Sequence, residues 1–560
     1  MRTDALVRQL ERIAAQVGGG ASVAVQLERP RNPEHGDYAT NVALVLAGRV
    51  GRPPRQLAAE IVEQLDLADA GLAKAEIAGP GFINFRLVPA RIHGRIDEIL
   101  TADRGFGRST RGHVRRVQVE FVSANPTGPL HVAHGRGAAL GDVIASLLEW
   151  TGHNTSREYY VNDAGVQIDR LAESLEARWL TLMGSPTPIP DGGYHGAYLV
   201  DMARDVEARF GDRLRALPRD ERLRLLREYA TTTLREEQDR DLREFGVHFD
   251  NYFAESQLYE ERHLEDTLAE LERLGLTYRA DGAVWLRSSA YGDDKDRVLV
   301  KRDGSYTYFL PDLAYHRDKA RRGFDHVIDV WGADHHGYVP RMQAALKALG
   351  MPDFLDIEIV QMVRIMRGGQ EVKLSKRAGD IVTLRELFTE TGTDVARYFF
   401  LMRRGDAQML FDLDLALDHS EKNPVYKVQY AHARMCSIFR RGGAAPAQLT
   451  PGADLSVLTH PTEQELVKQL ALFPEIVERA ADARGPHLVC DYLETTAGMV
   501  NSWYHAGNPS RNPELAVLVP DPTLKAARLR LARAVQIVLR NGLEVLGVQA
   551  PEQMQREEVE

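Results

Sequence analysis

Cysteine is nearly absent from this chain of 560 residues, which contains only Cys436 and Cys490. Two cysteines cannot form the set of disulfides that stabilises a small secreted domain, and they cannot supply a zinc site made of several thiolates. Long apolar runs are also missing, since none approaches the roughly 18 residues of a transmembrane helix. Residues 1–12 are too highly charged for a secretory signal peptide. These absences predict a cytoplasmic protein with no membrane partner.

The composition that remains is typical of a folded globular chain. Apolar residues make up 44% of it and charged residues 27%. Its length is that of roughly three or four domains. The net charge of −10 argues against nonspecific binding to nucleic acid, although net charge does not describe local fields. Basic clusters lie at residues 317–322, 403–404 and 525–540, and each one alone is more typical of a solvated helix face than of a phosphate-binding surface.

The most informative stretch of the sequence runs from residue 117 to residue 148. Apolar and polar residues alternate up to Phe121, which predicts a strand with one buried face. Proline and glycine at positions 126–129 then end the strand. Further on, apolar residues recur at helical spacing, and this pattern predicts a helix that begins near His131.

His131 and His134 therefore lie in the first turn of a helix that follows a strand. Unpaired N–H groups and the positive end of the helix dipole make such a turn suitable for phosphate. Two imidazoles three residues apart face the same way and can donate hydrogen bonds to phosphate oxygens. The small residues Ala133, Gly135 and Gly137 leave room for a nucleotide. Alone, such a pair is more often an ordinary helix start, and a metal pair is the weaker alternative because no third ligand is nearby.

A second candidate for phosphate binding is the segment at residues 367–379, which has glycine near both ends and three cations within it. A mobile loop of this composition can bring Lys373 and Lys376 to a triphosphate, where an ammonium can follow charge onto a departing diphosphate. As an isolated run it is equally consistent with a solvated hairpin.

The organisation of the chain predicts three domains. Residues 1–105 form a small α+β unit. In residues 106–425 strands alternate with helices, including strand patterns at 157–162, 306–310 and 357–365, and this alternation predicts a Rossmann-type parallel sheet. A charged helical insertion interrupts the sheet domain at about 170–290. Residues 426–560 are helical almost throughout, so the fold class is α/β with an N-terminal α+β domain and a C-terminal all-α domain.

Aromatic and amide side chains stand on one predicted strand of the N-terminal unit. Phe82, Asn84 and Phe85 can stack on an unpaired base and bond to it. For the two phenylalanines, packing in the core is at least as consistent with the spacing.

The two candidate phosphate segments, taken together, resemble the signature motifs of class I aminoacyl-tRNA synthetases. The segments His131-Val-Ala-His134 and Lys373-Leu-Ser-Lys-Arg377 stand where that class has its HIGH and KMSKS motifs, and the pair is far more specific than either motif. Ala133, Leu374 and Arg377 depart from the usual Gly, Met and Ser. A finer resemblance is to the arginyl-tRNA synthetase family, carried by residues 120–131, 308–312 and 425–434 and, in the N-terminal unit, by residues 36–40 and 81–85.

This resemblance covers nearly the whole chain and implies a function. It implies activation of L-arginine with ATP and Mg²⁺, followed by transfer to tRNA(Arg) by a protein expected to be a monomer. The N-terminal domain is then expected at the tRNA elbow and the C-terminal helices at the anticodon. No residue is expected to hold a resident metal.

The resemblance also implies the residues of the site. The implied arginine-binding residues are Glu120, Ser123, Asn125, Tyr308, Asp312 and His335. The implied ATP-binding residues are Ala124, Asn125, Pro126, Thr127, Gly128, Pro129, Leu130, His131, Val132, Ala133, His134, Gly135, Lys373, Ser375 and Lys376, of which His131, His134, Lys373 and Lys376 are expected to be catalytic. The implied tRNA-binding residues are Phe82, Asn84, Phe85, Tyr426 and Gln429. Guanidinium chemistry agrees independently, because its planar fork of donors suits two carboxylates and a phenol.

Three alternatives to this function stay open from the sequence. The nearest is another class I synthetase, against which the pair Glu120 and Asp312 favours arginine. A small-molecule nucleotidyltransferase would share the two histidines but would not explain the N-terminal unit or the C-terminal helices. A non-catalytic tRNA-binding relative would be expected to lack the signature residues that are intact here.

Overall fold

The computed structural model describes residues 4–20, 23–30, 32–163, 165–372, 382–508 and 510–554. The chain forms two compact units. The first consists of Met1–Phe106, Ala431–Glu475 and Thr495–Asn541, and the second of Gly107–Tyr430, Ile476–Glu494 and Gly542–Glu560. None of the described helices combines the length and the apolar character that crossing a membrane requires.

The N-terminal part of the first unit is a three-stranded antiparallel sheet packed against helices, with strand order β1-β3-β2. Its elements are α1 (Asp4–Val17), β1 (Tyr38–Thr40), α2 (Val42–Val50), α3 (Pro54–Glu63), α4 (Leu67–Ala70), β2 (Leu72–Ala78), β3 (Phe82–Leu87) and α5 (Pro89–Ala102).

Burial alternates along β3, and this alternation separates the three residues predicted to contact a base. Phe85 is fully buried in the core, whereas Phe82 is 39% exposed and Asn84 is half-buried. The expectation that Phe85 contacts a base is therefore replaced by a packing role. Phe82 and Asn84 are accessible to a partner.

The second unit contains a five-stranded parallel sheet with strand order β11-β10-β4-β5-β6. Its elements are β4 (Arg116–Glu120), α6 (Val132–Trp150), β5 (Asn154–Val161), α7 (Val166–Leu182), α8 (Tyr198–Ala216), α9 (Arg219–Glu244), β6 (Asn251–Ala254), α10 (Glu255–Glu260), α11 (His263–Arg273), β7 (Thr277–Ala280), β8 (Ala283–Leu286), β9 (Arg297–Val300), α12 (Phe309–Arg321), β10 (His326–Gly332), α13 (Val339–Ala348), β11 (Leu355–Val360), β12 (Val363–Arg367), β13 (Gln370–Glu371), α14 (Leu384–Thr391), α15 (Thr393–Leu401), β14 (Met409–Asp412) and α16 (Leu413–Ala416). The helices that follow are α17 (Pro424–Gly442), α18 (Pro461–Leu470), α19 (Phe473–Asp482), α20 (His487–Ala506) and α21 (Pro522–Val545).

The strand order places β4 beside β10, although the two are far apart in the chain. Chain progression therefore reverses between these strands, which is the point where open α/β sheets bind ligands at their carboxyl ends. The loop between β4 and α6 leaves the sheet at this point. The helix predicted to begin near His131 is α6, which begins at Val132 with His131 as its N-cap and His134 in its first turn.

Two sequence-based strand predictions and the insertion need correction. Residues 306–310 do not form a strand: Tyr306 makes one isolated bridge to Val300, and α12 begins at Phe309. The predicted strand at 357–365 is two strands, β11 and β12, in different sheets. The helical insertion consists of α7, α8 and α9 around their own core, and the chain rejoins the parallel sheet at β6, inside the range expected for the insertion.

The contact between α6 and the end of β4 depends on glycine at position 141. A Cβ atom at Gly141 would lie 2.2 Å from Cγ of the buried Phe121. At Gly137, on the same helix, an added Cβ atom would have no neighbouring atom within 4 Å. Only the first glycine is therefore required by packing.

Gly141→Ala is expected to destabilise the second unit by about 1–3 kcal/mol, because the added methyl overpacks the contact with Phe121. Calorimetry should show a lower melting temperature. Gly137→Ala, which adds the same methyl to the same helix without a clash, is the matched control for stability. Equal melting temperatures for the two variants would contradict this account.

Candidate active site

Two adjoining cavities lie at the carboxyl end of the parallel sheet. The large cavity has a volume of about 730 Å³, and the acidic cavity, which contains Glu120, Asp312 and Asp329, has a volume of about 250 Å³. They share the lining residues Val122, Ser123, Tyr160, Val330, Trp331, Gly332 and His335. A molecule with a cationic end and a second reactive end can therefore extend from one cavity into the other.

The acidic cavity combines carboxylates with neutral hydrogen-bond donors. The hydroxyl of Tyr338 donates to Oδ2 of Asp312 at 2.5 Å, and the hydroxyl of Ser123 donates to Oε1 of Glu120 at 2.9 Å. Burial raises the pKa of Asp312, while the hydrogen bond from Tyr338 acts in the opposite direction. Buried carboxylates interact strongly with a cation, because little water screens them.

The turn that carries Ser123 is strained. Val122 has φ +69° and Ser123 has φ +39°, a left-handed backbone that is rare for a β-branched residue such as valine. This conformation brings the Ser123 hydroxyl between Glu120 and the next strand, where it also accepts from the N–H of Tyr160 at 3.1 Å. Strain of this kind is concentrated at functional sites, so the turn supports the placement of the site here.

His131 and His134 stack on each other, with ring centroids 3.6 Å apart, and both line the large cavity. The backbone N–H of His131 donates to Nδ1 of His134 at 3.3 Å, which leaves the proton of His134 on Nε2. Burial lowers the pKa of His131, and burial together with His131 lowers the pKa of His134 to about 3. The pair is therefore neutral at physiological pH and can donate hydrogen bonds without adding charge.

A buried glutamine of the helical insertion holds the loop before the two histidines. Gln238 on α9 is 3% exposed, and its Nε2 donates to the carbonyl oxygens of Asn125 at 3.1 Å and Gly128 at 2.8 Å. The Tyr159 hydroxyl donates to Oε1 of Gln238 at 3.1 Å and accepts from the N–H of Ala124 at the same distance. The insertion thus fixes the backbone of the loop.

The same loop is bonded to the chain that follows residue 381. The N–H of Val132 donates to the carbonyl of Val382 at 3.1 Å, and the N–H of Leu384 donates to the carbonyl of Leu130 at 2.8 Å. Helix α9 contributes a second connection, because Asp241 and Glu244 both accept from Arg385 of α14, at 2.8 and 2.7 Å. The histidine turn is therefore bonded to the part of the chain that follows the predicted lysine segment.

Most of the predicted site residues lie around these cavities. Ser123, Ala124, Asn125, His131, Ala133, His134 and His335 line the large cavity. Thr127, Gly128 and Pro129 line a third cavity of about 370 Å³ that also meets the two histidines. Lys373, Ser375 and Lys376 lie outside the described residues.

Several predicted residues lie elsewhere. Tyr308 is 85% exposed and does not line the acidic cavity, where the phenol beside Asp312 belongs to Tyr338. A Cβ atom at Gly135 would meet Leu384 at 2.5 Å, so this glycine serves packing and not a nucleotide. Gln429 is buried and donates to Asp394 and to the carbonyl of Gln549, so it is not free for tRNA. Pro126, Leu130 and Val132 are buried, whereas Tyr426 is partly exposed.

The sequence reasoning missed several residues of the acidic cavity. Asp329, Tyr338 and His316 line it. Glu255 on α10 lies close to Asp312, and the pKa of Glu255 is raised first by burial and then by the carboxylate of Asp312. The sequence offered one signal for them: His316 follows Asp312 by four residues, a spacing that places both side chains on one face of a helix. Within the described part of the chain, no cluster of three or more His, Cys, Asp or Glu side chains is arranged to hold a metal.

Comparison with protein families gives three matches along the chain. The family described as "tRNA synthetases class I (R), catalytic domain" matches residues 95–400. "Arginyl tRNA synthetase N terminal domain" matches residues 3–87, and "DALR anticodon binding domain" matches residues 428–554.

Individual proteins match over almost the full length. An arginine–tRNA ligase of Syntrophotalea carbinolica is 48% identical over 543 residues, which cover 96% of each chain. Arginine–tRNA ligase 1 of Halalkalibacterium halodurans is 47% identical, covering 95% of this chain and 94% of that protein. The solved structure of Thermus thermophilus arginyl-tRNA synthetase matches with a TM-score of 0.75 over 99% of this chain and 100% of that one, and its identity of 24% makes it evidence for the fold alone.

The neutral state of His134 is open to direct measurement. Its imidazole is expected to stay unprotonated from pH 8 to pH 5, because its pKa is lowered to about 3. An unfolded chain takes up this proton near pH 6.5, so the group reduces the stability of the folded state as the pH falls below that value. NMR of histidine-labelled protein, with His134→Asn to assign the signal, should show no titration. A midpoint near 6.5 would refute the assignment.

Proposed function

This chain belongs to the arginyl-tRNA synthetase family, and from that premise we propose which of its residues perform each part of the reaction. It is an arginine–tRNA ligase, which joins L-arginine to tRNA and cleaves ATP to AMP and diphosphate. One observation carries the proposal for the site: Glu120 and Asp312 line one cavity, and this cavity adjoins the one that His131 and His134 face.

In this proposal the guanidinium of arginine binds in the acidic cavity. Asp312 and Glu120 accept its hydrogen bonds, and Tyr338 and Ser123 hold the two carboxylates in orientation. A lysine ammonium lacks the planar fork of donors with which a guanidinium can bind two carboxylates. Asn125 and His335, which line the large cavity, lie where the α-amino and carboxylate end of arginine would extend.

ATP binds in the large cavity, beside the first turn of α6. The arginine carboxylate attacks the α-phosphate in line, forms arginyl-adenylate and releases diphosphate, and the arginyl group then passes to the terminal ribose of tRNA. The protein contributes positioning and electrostatic stabilisation and forms no covalent bond. His131 and His134 donate hydrogen bonds to phosphate oxygens, which suits their neutral state.

The positive charge for the departing diphosphate is assigned to Lys373 and Lys376. This assignment rests on the sequence and on the bonds that join residues 382–385 to the histidine turn and to α9. Mg²⁺ enters as the counterion of the ATP substrate, because Mg²⁺ binds phosphate oxygens and water in preference to all-protein sites.

The tRNA partner is assigned to the two ends of the chain. We assign residues 1–105 to the elbow of tRNA, with Phe82 and Asn84 as accessible contacts, residues 106–425 to catalysis, and residues 426–560, including Tyr426, to the anticodon side. The family matches at residues 3–87, 95–400 and 428–554 support these boundaries. A cytoplasmic, monomeric enzyme is part of the same proposal.

Asp312→Asn is expected to raise the KM for arginine and to lower kcat/KM in tRNA-dependent pyrophosphate exchange by about 10²–10³, because it removes a buried charge that faces the guanidinium. The KM for ATP should stay within about twofold, since ATP occupies the other cavity.

The matched control is Asp201→Asn, which makes the same change on the exposed face of α8. Citrulline, which keeps the shape of arginine and lacks its charge, should not support exchange by the wild-type enzyme. An unchanged KM for arginine in Asp312→Asn would disprove the assignment of this cavity.

His134→Asn is expected to lower kcat for exchange by about 10²–10³ with little change in the KM for arginine, because it removes a donor to the phosphate while asparagine still offers an acceptor to the N–H of His131. Retention of wild-type kcat would exclude His134 from the phosphate site.

A further inference from the structure

Three carboxylates lie side by side on three adjacent strands under the acidic cavity. Asp329 on β10 is paired in register with Glu120 on β4, and Glu120 is paired with Glu158 on β5. Neighbouring strands are about 4.8 Å apart and paired residues point to the same face. The three side chains are almost fully buried, at 1%, 8% and 0% exposure. Without partners, three like charges in such a place could not all stay ionised.

Helix α12 faces this row with basic residues at a spacing of three. His316, Lys319 and, directly after the helix, Arg322 lie on one face. Nε2 of His316 lies 2.8 Å from Oδ2 of Asp329, and Arg322 donates to both oxygens of Glu158 at 2.6 and 2.9 Å. Each of the two outer carboxylates of the row, Asp329 and Glu158, therefore has a basic side chain beside it.

Lys319 occupies the centre of the arrangement and is fully buried. Its Nζ donates to Oε2 of Glu120 at 2.6 Å and to Oδ1 of Asp329 at 2.9 Å, and it lies 4.4 Å from the ring centroid of Tyr315. Burial by itself lowers the pKa of Lys319, but the carboxylates of Asp329 and Glu120 raise it above its usual value. The ammonium therefore stays charged between the two strands.

His316 lies between Asp312 and Asp329 in this arrangement. Its Nδ1 lies 2.8 Å from the carbonyl oxygen of Asp312, which can only accept, so Nδ1 carries a proton. Its Nε2 faces the carboxylate of Asp329, whose pKa is held to about 2 by Lys319 and His316 against the effect of burial. The three carboxylates of the row and Asp312, which accepts from the hydroxyl of Tyr338, therefore outnumber the lysine and arginine that face them, Lys319 and Arg322.

Buried ion pairs seldom add stability compared with apolar residues of the same shape, so this row calls for a functional reason. Glu120 shows what the row achieves. Lys319 holds its Oε2 and Ser123 holds its Oε1, which fixes the plane of the carboxylate, and each oxygen still has a lone pair for the cavity.

We propose that Lys319 is a positioning residue for arginine recognition, which keeps Glu120 ionised and fixes the plane in which it meets the guanidinium. This inference rests on the proposed role of Glu120 as a guanidinium ligand. The groups that face Glu120 are Lys319 and Tyr315 from α12, Asp329 from β10, and Glu158 and Tyr160 from β5.

The test is the pH profile of kcat/KM for arginine, measured from pH 6 to pH 9 by pyrophosphate exchange with the full chain and tRNA. Lys319→Met keeps an unbranched chain and removes the charge. We expect a KM for arginine about tenfold higher or more at pH 7, an acidic limb moved upward by about one pH unit, and partial recovery at pH 8.5, because Glu120 now takes up a proton more readily. Lys319→Arg should keep the limb of the wild type.

Asp329→Asn provides the opposite change and serves as the test if Lys319→Met does not fold. Removing a neighbouring negative charge should move the acidic limb to lower pH. A purely structural role for the row would instead lower kcat at every pH without moving the limb. An acidic limb that stays in place in either folded variant would overturn the proposal.

Glu120→Gln separates this inference from the proposed function. If this variant keeps the KM of the wild type for arginine, Glu120 is not a ligand, and both proposals fail. If it raises that KM while folded Lys319→Met leaves the profile unchanged, only the role of Lys319 fails. In the double variant that combines Glu120→Gln with Lys319→Met, the acidic limb should stay where Glu120→Gln alone places it, because the carboxylate that Lys319 controls is gone.

Discussion

The ammonium of Lys319 between Glu120 and Asp329 is the interaction on which the rest of the site depends. It joins β4 and β10, the two strands between which the chain progression reverses, and it attaches α12 to both of them. Without it, two carboxylates on neighbouring strands would repel each other at the carboxyl end of the sheet. The desolvation of these charges is unfavourable. Helices α12 and α13 also share an apolar core with the sheet, and the burial of that core is favourable.

A second set of bonds holds the histidine turn from two sides. The backbone bonds from Leu130 and Val132 to residues 382–384 connect the histidine turn to the chain that follows the lysine segment. Helix α9 contacts both parts of the chain. Gln238 donates to the loop before the histidines, and Asp241, one turn further along the helix, accepts from Arg385. A displacement of the helical insertion would therefore act on the loop before the histidines and on residues 382–385 together, which gives a physical route from the insertion to the cavities that the histidines line.

The sequence predicted those parts of the site that follow from local periodicity. The alternation before Phe121 and the helical spacing after it were enough to predict the strand, the turn and the helix that begins at Val132. The segment at 306–310 was misread because alternating aromatic residues suit a strand, whereas here Phe309 and Leu310 begin the buried face of α12. Propensity could not reveal which tertiary neighbours those side chains would have.

Lys319 shows more clearly what could not be predicted from the sequence. The basic cluster at residues 317–322 favoured a solvated helix face, and Arg321 is indeed largely exposed. Lys319 and Arg322 lie on the other face, against carboxylates contributed by three strands that are distant in sequence. A one-dimensional pattern records that cations recur at a spacing of three, but it does not record what faces them.

The charges of the site are divided between its two cavities. Beside the first turn of α6 the imidazoles are neutral, so they can bind a phosphate oxygen in the ground state without the penalty of burying a cation when ATP is absent. The acidic cavity instead contains more carboxylates than the lysine and arginine that face them, Lys319 and Arg322, so it suits a cationic ligand. In the proposed function, selectivity depends on these buried carboxylates, whereas the cations assigned to diphosphate release belong to a separate segment of the chain.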